Sequence, residues 1–302
     1  MSQWGILTAS TSGRKIDILL FSERLKAFGG SQPRNDEGVS YFALCGKNAE
    51  AFLFMVKSMD QFLQYENELA PGSGFELWNL PHILWLLVLG LITAVALLGA
   101  RRCGGRGKRW IRSAFAICAL LMQVLPSLLI MWKGMYSKYT LPLHICSLAS
   151  YAVFAHALFA ERSVILSELL FFPFLPGAMC ALLFPDWTMY PPCSFFSSAG
   201  FLVHGAIITY ILLCLDERII APTAHRWPIP IAFLVLYAGI MIPFDRAFGV
   251  NYGFLNTASP GSPLVWLADT FGAGIGYYAS YGAAVIVVMA MWYGVWVARH
   301  RL

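Results

Sequence analysis

The chain has 302 residues, of which 58% are hydrophobic and 12% charged, with a formal net charge of +5. Soluble globular domains carry about 25% charged residues, so this composition excludes one and indicates a polytopic membrane protein. The positive charge does not call for nucleic acid, because the basic residues cluster between apolar runs, where the positive-inside bias accounts for them.

Residues 1–58 form a polar N-terminal extension with a turn-rich interruption, GGSQPRNDEG, and no apolar run of membrane length. Met1 to Ser10 lacks the basic start and apolar core of a signal peptide. Asp17–Phe28 and Glu50–Tyr65 read as short amphipathic helices, and Met55 or Met59 is an alternative start. The domain expected to fold in the membrane runs from 59 to 302.

About 20 apolar residues are needed to cross a bilayer as a helix, within a range of about 17 to 25. By that rule we expect seven spans, at 81–100, 111–132, 141–159, 163–184, 194–214, 228–247 and 275–298. The fold class is an all-α polytopic bundle. The connection RRCGGRGKRWIR holds Arg101, Arg102, Arg106, Lys108, Arg109 and Arg112, and Arg162, Arg218, Arg226, Arg299 and Arg301 fall in alternate connections or at the C-terminus. The remaining connections hold only Lys133, Lys138 and Arg246. This bias places the N-terminus outside and the C-terminus in the cytoplasm of a cell membrane.

The outer connections are the unusual ones. Phe184–Ser194 (FPDWTMYPPCS) and Phe244–Gly274 are rich in Gly, Pro and aromatic residues, as turns, interfacial anchors or a re-entrant lid require. Gly272, Gly276, Ala279 and Ala283 recur at helical spacing near the last span and predict close helix packing. Seven cysteines occur without a CxxC pair, so no disulfide framework is expected.

Polar groups at membrane depth are costly and need partners or a role. The stretch LPLHICSLASYAVFAHALF carries His144, Cys146 and His156. The first two fall within roughly 10 Å of the outer boundary, and His204 about 15 Å deep in the fifth span, at 1.5 Å rise per residue. Asp186, Asn251 and Tyr252 lie in the outer connections, so these groups share one half of the bilayer. His156 and Glu168 fall near the inner end, where Glu168 is either a proton or cation site or a carboxylate bonded to a neighbouring helix. Residues two apart on a helix point nearly opposite ways, so His144 and Cys146 are not a local pair and a base for Cys146 comes from another helix. His204 fills that role, since an adjacent imidazole or helix N-terminus activates a thiol. The helix dipole keeps His144 neutral, suited to bonding a carbonyl oxygen. The plain alternative is that Cys146 is a small buried hydrophobe. A zinc site from His144, His204, Asp186 and His82 is conceivable by ligand type alone, with no HExxH pair to fix it.

LPLHICS at Leu141–Ser147, FPDWTMYPP from Phe184, the segment Phe201–Ile207 around His204, and NYGFL at Asn251–Leu255 followed by Pro260 resemble the YwaF-like bacterial integral membrane proteins. The resemblance runs over about residues 59–298, with MDQFLQYENE from Met59 similar to the start of such proteins. The chain departs from the pattern at Phe184, where a Thr is usual, and at Ile275–Gly276, where a Trp-Pro feature is usual. That family is similar to the eukaryotic transmembrane protein 164 family, which the resemblance implies transfers acyl chains between phospholipids through a cysteine acyl intermediate. It is more distantly similar to intramembrane lipid hydrolases that use a Thr and a His. Carried over, the nucleophile falls on Cys146 and the base on His204. The expected function is a lipid-directed acyltransferase or hydrolase, with Cys146, His204 and His144 catalytic and Asp186, Asn251 and Tyr252 binding an acyl lipid. Membrane lipids are the expected partners, and no cofactor or metal is expected. The alternative is a non-enzymatic carrier or binding protein for a small or lipid-like ligand.

Overall fold

The apolar runs fold as helices in the computed structural model, which describes residues 62–159 and 162–301. In chain order these are α1 (Leu80–Arg102), α2 (Gly105–Trp132), α3 (Ile145–Phe159), α4 (Val164–Leu169), a π-helical turn (Leu170–Phe174), α5 (Leu175–Leu183), α6 (Phe195–Asp216), α7 (Pro228–Phe248), α8 (Pro263–Phe271) and α9 (Ile275–Arg301). No strand occurs among the described residues. The helix expected at Asp17–Phe28 and the alternative starts lie outside the described residues. So does most of Glu50–Tyr65, whose described end passes into a 3-10 turn at Glu66–Glu68.

Each of the seven predicted spans meets an apolar helix, and six are long and apolar enough to cross a membrane. The exception is the third. The helix expected over 141–159 starts at Ile145 and has 15 residues, about 22 Å at 1.5 Å per residue. Pro142 explains the loss, because it disfavours helical geometry at Leu141. Leu141–His144 turns instead, and the His144 carbonyl accepts from Ser147 N–H (2.9 Å) and Leu148 N–H (3.2 Å).

The fourth span is one helix from 164 to 183 widened in the middle. Pro173 has no N–H to donate, and the Leu175 N–H bonds the Leu170 carbonyl five residues back, so the chain passes the proline without breaking. Phe171, Phe172 and Phe174 of this turn are fully buried.

The axis of the bundle is α6, with 72% of its apolar stretch buried against 17% for α1, α2 and α7 and 6% for α9. It packs on α1, α2, α3 and α5. Gly205 allows α1 to approach, since a Cβ there would meet Leu89 Cδ2 at 2.6 Å. Beside it, Thr93 and Thr209 share a hydroxyl bond of 2.8 Å, each also within 2.8 Å of the carbonyl one turn back. Leu84, Leu87, Leu91, Val95 and Leu98 make an exposed apolar stripe along α1. Helical spacing with the apolar face outward is the pattern of a helix facing lipid.

Two ends are distinguished by their contacts. At one, Arg101 bonds Asp216 (2.6 and 3.1 Å), Arg112 pairs with Glu217, and Arg226 lies 3.4 Å from Glu168. We call this the basic end. At the opposite end, Phe75 N–H donates to the Thr188 carbonyl (2.9 Å) and Trp85 Nε1 to that of Pro192 (2.8 Å). There too, Lys138 Nζ donates to the Phe248 carbonyl and the Tyr252 hydroxyl to that of Lys138, both at 2.5 Å.

In the last third, the stretch 244–274 is not turns throughout: α7 runs to Phe248, and Ser262 caps the nine-residue α8, with Pro263 as its first residue. Trp266 and Phe271 of α8 are exposed, as interfacial anchors are. Nor do the small residues form one packing face. Gly272 caps α8 with a left-handed φ of 76°. Gly276 is needed where α9 turns back, since a Cβ there would meet the Phe271 carbonyl oxygen at 2.0 Å. Ala279 and Ala283 are exposed.

Candidate functional site

The site is built around the middle of α6. His204 is buried, and its Nδ1 lies 2.7 Å from the Gly200 carbonyl one turn earlier. A carbonyl only accepts, so Nδ1 carries the proton in the neutral ring and the lone pair stands on Nε2. That Nε2 is buried with no hydrogen-bond partner among the described residues. Trp187 stacks flat on the imidazole, with centroids 5.1 Å apart and planes 13° apart. Gly200 makes the stacking possible, because a Cβ there would meet the indole at 2.7 Å. One glycine thus supplies both the carbonyl that fixes the tautomer and the space for the ring that fixes the plane.

Cys146 is the second residue of α3 and is half-buried. First-turn amides of a helix have no intrahelical acceptor, so its N–H is a donor beside its own thiol. The Cys146 carbonyl accepts from the Ser150 hydroxyl (3.0 Å). His144, just before the helix, accepts at Nδ1 from Gly253 N–H (3.4 Å) and packs edge-on against Tyr252 at 4.9 Å. Because His144 is not helical, the opposed-face argument does not hold it apart from Cys146.

Electrostatics link these groups. Asp186, exposed in the turn after α5, acts on His144, Cys146 and His204, and His144 acts on His204. Three sequence-predicted residues from three elements therefore share one neighbourhood with a fourth.

Tyr252 is buried and positions His144 from the loop side. Asn251 serves the loop itself. Its Oδ1 accepts from Asn256 N–H (3.1 Å) and Thr257 N–H (3.2 Å), and its Nδ2 donates to the Thr257 carbonyl (2.8 Å). Those bonds tie the amide into its own loop.

Several neighbours escaped the sequence reading. Asp245 in α7 is buried, with the Tyr252 N–H and Asn256 amide as its nearest donors, neither in full hydrogen-bond geometry, and it acts electrostatically on His144. Tyr237 and Tyr281 feel Cys146, and their hydroxyls donate to the carbonyls of Leu143 (2.9 Å) and Gly253 (3.2 Å). Cys180 of α5 is exposed and acts on Cys146. Trp187 had a visible signal in the DW pair of FPDWTMYPP, but its stacking partner lies 17 positions away. Asp245 sits beside Arg246 and reads as half of a surface pair. Buried polar atoms are nearly always partnered, so His204 Nε2, Trp187 Nε1 and the Asp245 carboxylate together mark where a ligand would meet this end of the bundle.

The other polar residues lie apart. His156 Nδ1 is 2.7 Å from the Tyr210 hydroxyl and its Nε2 3.4 Å from Ser167 Oγ, in the buried core. Glu168 is fully buried beside Arg226. His82 uses both ring nitrogens, with Trp78 N–H at 2.9 Å and the Leu182 carbonyl at 2.8 Å, and no group of three metal-ligating side chains occurs among the described residues. All six described cysteines are free.

No curated protein and no solved structure matches this chain. The profile of the TMEM164 family matches residues 77–293, which take in α1 to α8, most of α9 and every residue of the site. The chain belongs to the TMEM164 family.

Proposed function

We propose that this protein transfers or hydrolyses the acyl chain of a membrane lipid, with Cys146 as nucleophile and His204 as general base and acid. The observation that carries the reading is His204 Nε2: buried, unpartnered, held in one tautomer by Gly200 and in one plane by Trp187, and in a common field with Cys146 and Asp186. A base needs an available lone pair in a fixed direction, and acyl transfer is the chemistry that the resemblance to the TMEM164 family implies.

In the first step His204 Nε2 takes the Cys146 proton as sulfur attacks the ester carbonyl. The Cys146 N–H and His144 are the donors that face the developing oxyanion. The carbon–oxygen bond breaks, the departing lysolipid oxygen takes the proton from the imidazolium, and the acyl chain remains as a thioester. A lipid hydroxyl, or water, then attacks that thioester with His204 again accepting the proton, the carbon–sulfur bond breaks, and the departing Cys146 sulfur takes the proton back from the imidazolium. Asp186 stabilises the imidazolium formed in each half, and Trp187 excludes water from its face. Tyr252 and Asp245 orient His144. In this reading the basic end faces the cytoplasm and the site opens toward the outer leaflet of the cell membrane. The closer likeness to YwaF-like bacterial proteins, carried by LPLHICS and NYGFL, belongs to the same reading.

The test is acyl transfer from a phospholipid with a labelled acyl chain to the purified chain. A label removed by neutral hydroxylamine is expected on the wild type and absent in Cys146→Ala. Equal labelling of Cys146→Ala would refute the assignment, and lipid binding or flux that survives Cys146→Ser without any acyl adduct would favour a carrier.

A further inference from the structure

The basic end carries a cleft of about 270 Å³ where the ends of α1, α6 and α9 meet beside the π turn. Its lining changes character along the helices. Phe171, Trp292 and Trp296 form the apolar part, and Arg101, Asp216, Arg218 and Arg299 the charged part. On α9 the lining residues Trp292, Val295, Trp296 and Arg299 share one helical face. The gradient from tryptophan to arginine within two turns follows a bilayer from its interfacial aromatic belt to its headgroups.

Charge in the cleft is unbalanced. Three arginines face one carboxylate, and Arg101 alone forms both hydrogen bonds to Asp216. Arg299 lies within electrostatic reach of Asp216 without a bond to it, and Arg218 has no carboxylate partner among the described residues. The helix C-termini that converge here carry partial negative charge, which is smaller than the two uncommitted guanidinium charges.

Arg218 is also held in a costly conformation. At the end of α6 its N–H bonds the Leu215 carbonyl (3.2 Å) and the Ile219 N–H the Cys214 carbonyl (2.8 Å), the double bond of a Schellman cap. The residue at that position takes a left-handed φ, here 56°, where glycine is the usual choice. A side chain retained against that preference is a sign of function. Finally, the Trp292 indole N–H is buried with no acceptor among the described residues.

We propose that this cleft binds a phospholipid with an anionic headgroup, its phosphate between Arg218 and Arg299 and the start of its acyl chains against Trp292 and Trp296. Arginine forks match phosphate oxygens in pairs, and a lipid ester oxygen gives the Trp292 N–H an acceptor. A volume of about 270 Å³ holds a phosphate and glycerol, while the chains continue along the lipid-facing helices. The site is separate from the Cys146 neighbourhood, at the opposite end of the bundle.

The experiment is native mass spectrometry of the full chain in detergent micelles with phosphatidic acid and phosphatidylcholine at equal concentration. The wild type should retain phosphatidic acid preferentially. Arg218→Gly together with Arg299→Gln should weaken that retention about tenfold, from the loss of two charge-assisted contacts, with phosphatidylcholine retention unchanged. Glycine suits the left-handed position, so the double variant should melt no lower than wild type and the loss cannot be put down to unfolding. Unchanged phosphatidic acid retention in the double variant would overturn the proposal. So would inorganic phosphate competing as well as the lipid, since the cleft would then take a free anion.

Discussion

At the scale of single residues, the geometry of His204 depends on Gly200 more than on its own neighbours in sequence. Alanine is ordinarily favoured over glycine inside a helix by about 1 kcal/mol, yet at 200 the added Cβ meets the Trp187 ring at 2.7 Å. Gly200→Ala should therefore cost about 1–3 kcal/mol of stability, as overpacking does, and reduce acyl transfer by displacing the indole. Thermal melting and labelling rates measured together check both. Gly205→Ala makes the contrast. Its Cβ would meet the far end of the flexible Leu89 side chain, so a smaller loss of stability and an unaffected labelling rate are expected. His204→Gln keeps hydrogen-bonding capacity but removes the base, and should slow labelling by about 10²–10⁴-fold without a comparable fall in melting temperature.

At the scale of elements, the segment before α1 straps the site loop. Gly74 approaches so closely that a Cβ would meet the Thr188 carbonyl oxygen at 2.1 Å, and Phe75 bonds that same carbonyl. Tyr65 packs on Tyr190 and Phe196. Gly74→Ala should loosen residues 62–79 and the 184–194 turn together, read as faster amide exchange in both. The strap also carries a pH-dependent tie. Burial raises the Glu68 carboxyl, but the Lys133 ammonium and the Tyr65 N–H outweigh it and hold the group below the ordinary carboxylate range. The tie is therefore fully present above the unfolded carboxylate value of about 4.3 and is lost as pH falls through the lower folded value. The pair is partly exposed and worth only about 0.2–1 kcal/mol. Protection of the 62–69 amides, taken relative to their intrinsic exchange rate at each pH, should fall on acidification in the wild type, and Lys133→Met should flatten that dependence.

Elements also explain what the sequence could and could not disclose. Span positions were legible because apolar runs of membrane length have few alternatives, and the predicted 194–214 and 228–247 differ from α6 and α7 by at most two residues at either end. The start of α3 was not, because hydropathy runs through Leu141–His144 and only Pro142 marks the turn. That error mattered at the site, since it made His144 helical and turned it away from Cys146. From the sequence, Cys146, His204 and Asp186 are expected in the same half of the bilayer. Trp187, Gly200 and Asp245 were not legible, because their roles come from contacts between separate segments: a ring on a histidine, a missing Cβ, a carboxylate from α7.

At the scale of the whole molecule, the bundle turns its apolar stripes outward and gathers its polar groups at two ends around α6. One end holds His204 and Cys146, the other the arginine cleft. The proposed acyl transfer requires that the lipid enter sideways from the bilayer. The weakly buried α7 and α9, with 17% and 6% of their apolar stretches covered, flank the Cys146 end through Tyr237 and Tyr281 and leave such an approach. The measurement that tests the central claim most directly is the site of acylation, found by peptide mass spectrometry after incubating purified protein with a labelled phospholipid. The account predicts one hydroxylamine-sensitive acyl group on Cys146, lost in Cys146→Ala and strongly slowed in His204→Gln. An acyl group on another cysteine, such as the neighbouring Cys180, or undiminished acylation without His204, would contradict it.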